Sequence, residues 1–341
     1  MKPFMPKRVY FEPSSLDYDL GRRLYHYFTE KNIPIIKMTS SNRVTGIPGK
    51  TDREKYFHAK QTLVVSVKRN LELDRCKPSA DFQFGLYTSC PGKCQYCYLQ
   101  TTQGTRPFIR VYVNLGEIFE TIKEYIEKNK PKITTFEAAS TNDPLALEHI
   151  TGSIKETIEF FARQALGRLR LVTKFDNVDG LLDVHHNKHT RFRFSINTDF
   201  VINAFEHGTA TAQERIAAAR KMAGAEYPIG FIIAPIMVYP KWKDGYKEMM
   251  DTMYNQLHPF SIDDLTFELI QYRYTQRAKH LILNRFPNTR LDMGDTQRTK
   301  KWGRYGMFKY IYPKELADEI RTYLSDLIYE RFPNATIEYF T

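Results

Sequence analysis

The sequence contains few cysteines and no long apolar segment. Only four of its 341 residues are cysteine, which excludes a disulfide framework as the basis of the fold. No apolar run reaches the roughly 18 residues that a membrane span requires. Residues 1–15 are basic but lack the apolar core of a secretory signal, and no low-complexity tract is present. We therefore expect a cytoplasmic protein with no membrane partner.

What the sequence does have is an excess of positive charge and many aromatic residues. Fifty Lys and Arg residues against 39 Asp and Glu residues give a net charge of +11, and there are 22 Tyr and 23 Phe residues. Cations bind phosphates with release of counterions, and aromatic rings stack on bases. The composition thus favours a nucleic-acid partner, with a merely solvated basic surface as the alternative.

The order of apolar patterns predicts an α/β fold. From about residue 108 onward, starting with the strand-like run 108–114, strands alternate with amphipathic helices about six times. This order indicates a parallel sheet curled into a partial (β/α)6 TIM-like barrel, with its chemistry at the C-terminal ends of the strands. We expect residues 1–80 to form an N-terminal α/β elaboration packed on the barrel and residues 81–290 to form the barrel. Residues 291–341 would add a β-hairpin, a helix and a closing strand.

Three of the four cysteines lie within eight residues, at Cys90, Cys94 and Cys97, directly after the strand-like run 81–88. A structural zinc site needs four ligands, and the loop offers no histidine or fourth cysteine. Cys76 lies 14 residues upstream, and we expect it to be an inert buried thiol. Three thiolates can instead hold an iron–sulfur cluster with one iron left open. We interpret the loop as a [4Fe–4S] site, with zinc as the alternative.

The spacing Cys-x3-Cys-x2-Cys, with Tyr96 before the last cysteine, resembles the signature of the radical S-adenosylmethionine superfamily. That superfamily also has a partial (β/α)6 barrel. The resemblance implies that the open iron binds S-adenosylmethionine and that the reduced cluster cleaves it to a 5′-deoxyadenosyl radical. With TKF (173–175), FSIN (194–197), IAPI (233–236) and KKWGRYG (300–306), the whole chain is similar to the spore photoproduct lyase family.

This resemblance implies a DNA repair lyase of the spore core. Its partner would be double-stranded DNA that contains the thymine–thymine UV lesion 5-thyminyl-5,6-dihydrothymine, and its electron donor a flavodoxin or ferredoxin. In the implied mechanism the radical takes a hydrogen atom from carbon 6 of the dihydrothymine and the methylene bridge breaks. The thymine allyl radical then takes a hydrogen atom from a protein cysteine. Two alternatives stay open: a radical enzyme acting on RNA or a peptide, and a non-catalytic, zinc-stabilised nucleic-acid-binding protein.

The chain departs from the family pattern at the hydrogen donor. The resemblance places the donor cysteine in the stretch EAA-x-T, where this chain has Ser140. A serine O–H bond is far stronger than a cysteine S–H bond, so we expect the chain to bind lesion and cofactor but to complete repair poorly. The same resemblance makes Tyr98, with Tyr96, the hydrogen relay and makes Tyr96 a cofactor contact. Aromatic packing over the cluster is the alternative for both.

Further candidates for cofactor binding lie where predicted barrel strands end. They are Asn142, Asp143, Lys174, Ser195, Asn197 and Ala234. A cation suits the cofactor carboxylate, which favours Lys174, and a hydroxyl such as that of Ser195 suits the ribose or the carboxylate. The alternative is that these are ordinary polar residues at strand ends, and for Asp143 that it caps the following helix.

A basic and aromatic segment is the candidate DNA contact. Its members are Lys300, Lys301, Trp302, Arg304, Tyr305 and Lys309. Cations pair with phosphates, and an inserted aromatic or Arg side chain can fill the space left by bases turned out of the stack. A solvated hairpin is the alternative. Arg273 and Arg277 are weaker candidates for phosphate contacts. His185, His186 and His189 precede a predicted strand, so we expect a solvated turn there and no metal site.

Overall fold

The computed structural model describes residues 2–39, 44–138, 141–260, 262, 264–303 and 307–341. The helices are α1 (Asp19–Glu30), α2 (Asp52–Ala59), α3 (Leu115–Asn129), α4 (Glu148–Thr151), α5 (Ser153–Ala162), α6 (Asp199–Phe205), α7 (Ala212–Gly224), α8 (Trp242–Leu257), α9 (Gln276–Arg285) and α10 (Lys314–Arg331). The strands are β1 (Arg8–Phe11), β2 (Ile35–Lys37), β3 (Thr62–Ser66), β4 (Asp74–Arg75), β5 (Phe82–Gln83), β6 (Tyr87–Thr88), β7 (Ile109–Tyr112), β8 (Thr134–Glu137), β9 (Gly167–Thr173), β10 (Thr190–Ile196), β11 (Ile229–Ile236), β12 (Thr266–Gln271), β13 (Thr299–Trp302), β14 (Phe308–Ile311) and β15 (Thr336–Phe340).

The smaller main sheet has the strand order β2-β1-β3-β7-β6, parallel except for β6. Strand β3 reads TLVVS and is buried along its whole length, as expected for a parallel strand covered on both faces. The prediction that the run 108–114 forms the first barrel strand is wrong, because β7 pairs with β3 in this sheet. An apolar run predicts a strand but does not tell which sheet the strand joins.

The larger sheet has the order β15-β12-β11-β10-β9-β8-β5-β4 and curls into a partial barrel. Its strands are parallel from β15 to β5, and only β4 is antiparallel. This confirms the predicted α/β barrel class, with β5 and not β7 as the first parallel strand. The division into residues 1–80, 81–290 and 291–341 stays a prediction, although both sheets run across these boundaries.

The barrel strands pack helices against their outer faces, and several of them carry polar groups on their inner faces. Phe136 of β8 lies against Phe161 of α5, with ring centroids 5.6 Å apart. On the inner face, the guanidinium of Arg193 pairs with Glu137 and, at 2.5 Å, with Glu268. Buried charges are tolerated only when they are paired in this way. The barrel interior is therefore a network of ion pairs beneath the strand ends.

The C-terminal segment closes the structure. Strands β13 and β14 form an antiparallel hairpin, α10 follows, and β15 returns to pair with β12. The predicted hairpin, helix and last strand are confirmed. Tyr274, just beyond β12, bridges to Tyr310 of the hairpin, with their rings stacked at 5.2 Å. Among the described helices, none combines the length and the apolar character needed to cross a lipid bilayer.

Candidate active site

The cysteine loop, residues 90–97, is attached to the end of α6. The amide of Lys93 donates to the carbonyl of His207 (2.7 Å), and the amide of Gln95 donates to the carbonyl of Phe205 (2.9 Å). The side chain of Gln95 also lies 2.9 Å from the His207 ring nitrogen Nε2. These contacts fix the loop against the end of the helix that follows β10, so the three thiols lie beside the strand ends of the barrel.

A buried lysine supports the other side of the loop. Lys60, which is 6% exposed, donates to the carbonyl of Cys90 (2.9 Å) and to Ser89 Oγ (3.2 Å). Ser89 has φ of +63° and in turn donates to the carbonyl of Pro107 (2.9 Å). Burial raises the pKa of the Cys90 thiol to about 11, and the Lys60 cation opposes this shift.

The cysteine loop passes close to the segment after α6 at Gly92. A Cβ atom on Gly92 would lie 3.2 Å from Thr209 Cγ2 and 3.5 Å from Cys90 Sγ.

The three thiols of the loop differ in burial: Cys94 is buried, whereas Cys90 and Cys97 are half-buried. Within the described ranges, no three His, Cys, Asp or Glu side chains come together as ligands of a single metal ion.

Lys174 lies at the centre of the predicted cofactor site. Its Nζ donates to Ser195 Oγ (2.9 Å) and, at 3.3 Å, to the carbonyl of Ala234. The same nitrogen lies 5.6 Å from the centre of the Tyr96 ring. The ends of β9, β10 and β11 thus bring four predicted residues, Tyr96, Lys174, Ser195 and Ala234, to one place.

A carboxylate that the sequence did not indicate neutralises this lysine. Glu206 is buried and accepts from Lys174 Nζ (3.0 Å), from Arg215 Nη2 (2.5 Å) and from the Tyr96 hydroxyl. Although burial alone would raise the pKa of Glu206, the Lys174 and Arg215 cations lower it to about 2. Glu206 follows α6 in the sequence with no motif around it, and Arg215 lies within α7. No local signal in the sequence identifies either residue.

Asp143 and Asn142 follow β8 and face neighbouring strands. Asp143 accepts from Thr173 Oγ1 and from the amide of Lys174, both at 2.7 Å, so its side chain does not cap the following turn. Burial raises its pKa to about 6. Asn142 pairs with Ser89 in a parallel bridge, which joins the cysteine loop to the end of β8. The Oδ1 atom of Asn142 is buried and has no hydrogen-bond partner among the described atoms.

Asn197 is placed differently from the other candidates. It is completely buried, donates to the carbonyl of Pro235 (2.7 Å) and accepts from the Tyr246 hydroxyl (3.0 Å). These bonds tie β10 to β11 and α8. The structure therefore assigns its side chain a bracing role and does not bring it to Lys174.

The two tyrosines beside Cys97 occupy different environments. Tyr96 is partly buried and bonded to Glu206, whereas the side chain of Tyr98 is 63% exposed. Partial desolvation raises the pKa of Tyr98, and negative charge on Cys97 would raise it further. Cys76, predicted to be buried, is half-buried.

The hairpin carries its aromatic residues on the outside. Trp302 is 64% exposed and Phe308 is 51% exposed, and their rings meet edge to face at 4.8 Å. Lys301 stands opposite Lys309 across the two strands. The candidates Arg304 and Tyr305 lie outside the described residues. An exposed Trp beside two lysines is the arrangement expected of a surface that meets nucleic acid.

The histidines of residues 185–189 do not converge on a common point. His186 stacks on Tyr227 at 3.7 Å and lies 3.1 Å from the carbonyl of Ala225, whereas His189 lies 2.9 Å from the carbonyl of Phe161. Their ring nitrogens thus lie beside backbone carbonyls at the end of the barrel remote from Lys174.

The chain is similar to known proteins along almost its whole length. Residues 4–341 match the family model described as spore photoproduct lyase. A spore photoproduct lyase from a Geobacillus strain is 50% identical over 341 residues, with all of both chains covered. One from Bacillus subtilis is 47% identical, with 99% of each chain covered. The chain belongs to the spore photoproduct lyase family.

Solved spore photoproduct lyases have the same fold as this family member. One bound to dinucleoside spore photoproduct has a TM-score of 0.97 and 51% identity, with all of both chains covered. Another, with a TM-score of 0.97 and 52% identity, holds AdoMet and the dinucleoside, again with both chains fully covered. That second protein carries two substitutions, a cysteine to alanine at its position 140 and a serine to cysteine at its position 76. This lyase-family chain has Ser140 and Cys76 at those numbers, and Ser140 lies outside the described residues.

Proposed function

We propose that this chain reverses spore photoproduct in DNA to two thymines, by radical chemistry that starts at a [4Fe–4S] cluster and S-adenosylmethionine. The proposal rests on family membership across residues 4–341. It is also supported by the three-cysteine loop, which backbone hydrogen bonds hold beside Lys174. Relatives of the same fold bind AdoMet and dinucleoside spore photoproduct. These ligands agree with a radical lyase acting on a DNA lesion.

Cys90, Cys94 and Cys97 are the proposed ligands of the cluster. In a cubane each thiolate binds a different iron atom, so the sulfur atoms need not point at one centre. A single zinc ion requires convergent ligands within about 2.3 Å. A loop that offers three thiolates and no fourth ligand suits a cluster with one open iron better than a four-coordinate zinc ion.

The residues around Lys174 fit S-adenosylmethionine. Asn142 Oδ1 is a buried acceptor without a partner, and an unsatisfied acceptor of this kind suits the amino group of the cofactor. Lys174 is the cation for its carboxylate, Ser195 a hydroxyl within reach of the same group, and Tyr96 packs beside them. When bound, the cofactor supplies the deoxyadenosyl radical. The part of the protein is to hold the cofactor against the cysteine loop and exclude water.

The hairpin with Trp302 and Lys301 is the proposed contact with double-stranded DNA around the lesion. The lesion bases must leave the stack to reach a radical inside the barrel, and an exposed aromatic side chain can fill the space they leave. We also propose the spore core as the location and a flavodoxin or ferredoxin as the reductant.

The decisive experiment loads the anaerobic protein with iron and sulfide, reduces it, and adds S-adenosylmethionine with dinucleoside spore photoproduct. We expect iron and sulfide in a cubane ratio, 5′-deoxyadenosine, and thymine dinucleoside as product. Cofactor cleavage without any binding of the lesion would point to the alternative substrates, RNA or a peptide. A colourless protein that retains zinc and cleaves nothing would overturn the proposal.

The expected weak turnover also belongs to this proposal. It assumes that the hydrogen donor must stand at residue 140, where this chain has serine. The relative with AdoMet and lesion bound carries its introduced cysteine at position 76, and this chain has Cys76 without any substitution. The chain therefore has its own thiol where an engineered relative has one.

A further inference from the structure

Two buried cations lie behind the cysteine loop, each at the end of a helix. Lys60 follows α2, is 6% exposed and donates to the carbonyl of Cys90 (2.9 Å). Arg285 is the last residue of α9 and is 2% exposed. The two helices pack on each other, and the rings of Tyr56 and Phe286 meet edge to face at 5.8 Å. Both cations are therefore fixed in position and shielded from water, where a charge acts more strongly than it does in solvent.

Arg285 supports the rest of the cysteine loop through one glutamine. Its Nη1 atom donates to the backbone carbonyl (3.2 Å) and to the side-chain Oε1 (3.1 Å) of Gln100. The Gln100 side chain in turn donates to the carbonyl of Cys94 (3.2 Å), and its amide donates to the carbonyl of Cys97 (3.1 Å). Lys60 thus holds the first cysteine of the loop, and Arg285 holds the second and third through Gln100.

These two cations have only neutral partners among the residues that the structure describes. The atoms that accept hydrogen bonds from Lys60 and Arg285 are oxygens of a hydroxyl, a side-chain amide and backbone carbonyls. Arg285 also lies 4.6 Å from the centre of the Tyr56 ring. By contrast, Lys174 in the proposed cofactor site is paired with Glu206 at 3.0 Å. Since a buried charge is costly without a counter-charge, Lys60 and Arg285 suit an anion held by the loop beside them.

We propose that Lys60 and Arg285 are positioning residues whose charge favours reduction of the proposed cluster. The inference rests on the proposed function and deepens it. A cluster held by three thiolates is an anion overall, and the one electron that it takes from the proposed flavodoxin or ferredoxin adds a negative charge. Lys60 and Arg285 offset this added charge from behind the loop, so they stabilise the reduced form and raise the reduction potential. They act through charge and through the loop backbone, without touching S-adenosylmethionine or the lesion.

The test is a redox titration of the anaerobic, cluster-loaded protein without S-adenosylmethionine, followed by electron paramagnetic resonance. Lys60→Met and Arg285→Gln should each lower the equilibrium constant for reduction at least about tenfold, which is a potential about 59 mV more negative for one electron. Lys60→Arg and Arg285→Lys keep the charge and should stay within about threefold of the unchanged chain. The control Arg53→Met removes a cation from the exposed first turn of α2. It should leave the potential unchanged, because water and salt screen an exposed charge.

The iron and sulfide content of each variant separates a change in potential from a loss of the cluster. If Lys60→Met and Arg285→Gln hold a cluster of unchanged potential, the inference is wrong and both residues merely support the loop. Shifts of equal size in the charge-keeping and charge-removing variants, or loss of the cluster from both charge-removing variants, would overturn it as well. If the unchanged chain itself holds no [4Fe–4S] cluster, the proposed function fails instead.

Discussion

At the scale of single residues, the site depends on a lysine and on the carboxylate that neutralises it. Lys174 was predicted as a cofactor contact because a cation at a strand end suits a carboxylate ligand. Its partner Glu206 is 32 residues away in sequence and was not identifiable. Burial of Glu206 between Lys174 and Arg215 means that the removal of one charge leaves the others without compensation.

Replacement of Glu206 by Gln should destabilise the fold by about 3–5 kcal/mol near neutral pH, because the buried Arg215 and the partly buried Lys174 lose their partner. Since the pKa of Glu206 is lowered from 4.5 to about 2, its stabilising contribution is complete above pH 4.5 and is lost as the pH falls through about 2. Urea unfolding at several pH values should therefore show a gap between the two proteins that narrows toward low pH. Glu120→Gln, at an exposed ion pair, is the control; an equal effect in both variants would contradict this account.

Replacement of Lys174 by Met should weaken the binding of S-adenosylmethionine by about 10- to 100-fold, since a charge-assisted hydrogen bond contributes about 1.5–3 kcal/mol. Calorimetric titration of the cluster-loaded protein measures the dissociation constant. Lys221→Met, at an exposed ion pair with Asp179, should leave it unchanged. An unaltered dissociation constant in Lys174→Met would remove this lysine from the cofactor site.

At the scale of elements, two segments beyond the barrel strands carry the proposed cluster ligands and the proposed DNA contact. The cysteine loop is held by Lys60 and by the end of α6, and the hairpin β13–β14 is held by Tyr274 stacked on Tyr310. Each segment is therefore anchored at its base, with the loop's cysteines at least half-buried and Trp302 of the hairpin exposed. This arrangement suits the proposed roles, in which the loop holds a cluster and the hairpin contacts DNA.

Truncation of Trp302 to Ala should lower the affinity for duplex DNA that contains the lesion by roughly tenfold, because base–aromatic stacking contributes about 1–3 kcal/mol. Binding of the dinucleoside lesion should not change, since it fits within the barrel. Fluorescence anisotropy with both ligands provides the measurement. Tyr329→Ala removes an aromatic ring of similar exposure from α10. Equal losses from both substitutions would indicate that the hairpin has no special contact with DNA.

At the scale of the whole molecule, the charged side chains form two groups, one inside the barrel and one on the protein surface. Inside the barrel, Arg193 and Arg170 are neutralised by Glu137, Glu268 and Glu338. The net charge of +11 therefore belongs mainly to the surface, where it can attract a polyanion over long distances.

Binding of lesion-containing duplex DNA should weaken steeply with salt, by about 10³-fold between about 50 and 200 mM if some six phosphates are contacted. The dinucleoside, which offers no extended backbone, should bind almost independently of salt. Titrations of both ligands across this range test the point. A flat salt dependence for the duplex would show that the surface charge takes no part in recognition.

Agreement between sequence and structure follows the range of the interactions involved. The hairpin, α10 and β15 were predicted well because their patterns are local: alternation in a strand and helical periodicity over residues 313–332. The assignment of β7 was wrong because strand pairing joins residues far apart in sequence. Cys76 was predicted to be buried and is half-buried, because nothing near it in the sequence shows that Ser79 and Asp81 attach its turn to β8.

The sequence by itself determined the class of fold and the family, because the strand and helix patterns and the spacing of three cysteines within eight residues are local properties. Only the tertiary structure decided which groups surround Lys174, that Asn197 braces strands, and that Cys76 lies at the barrel edge. These facts depend on contacts such as that of Arg193 with Glu137, which are 56 residues apart. Such contacts form only when the sheet closes, so no local pattern encodes them.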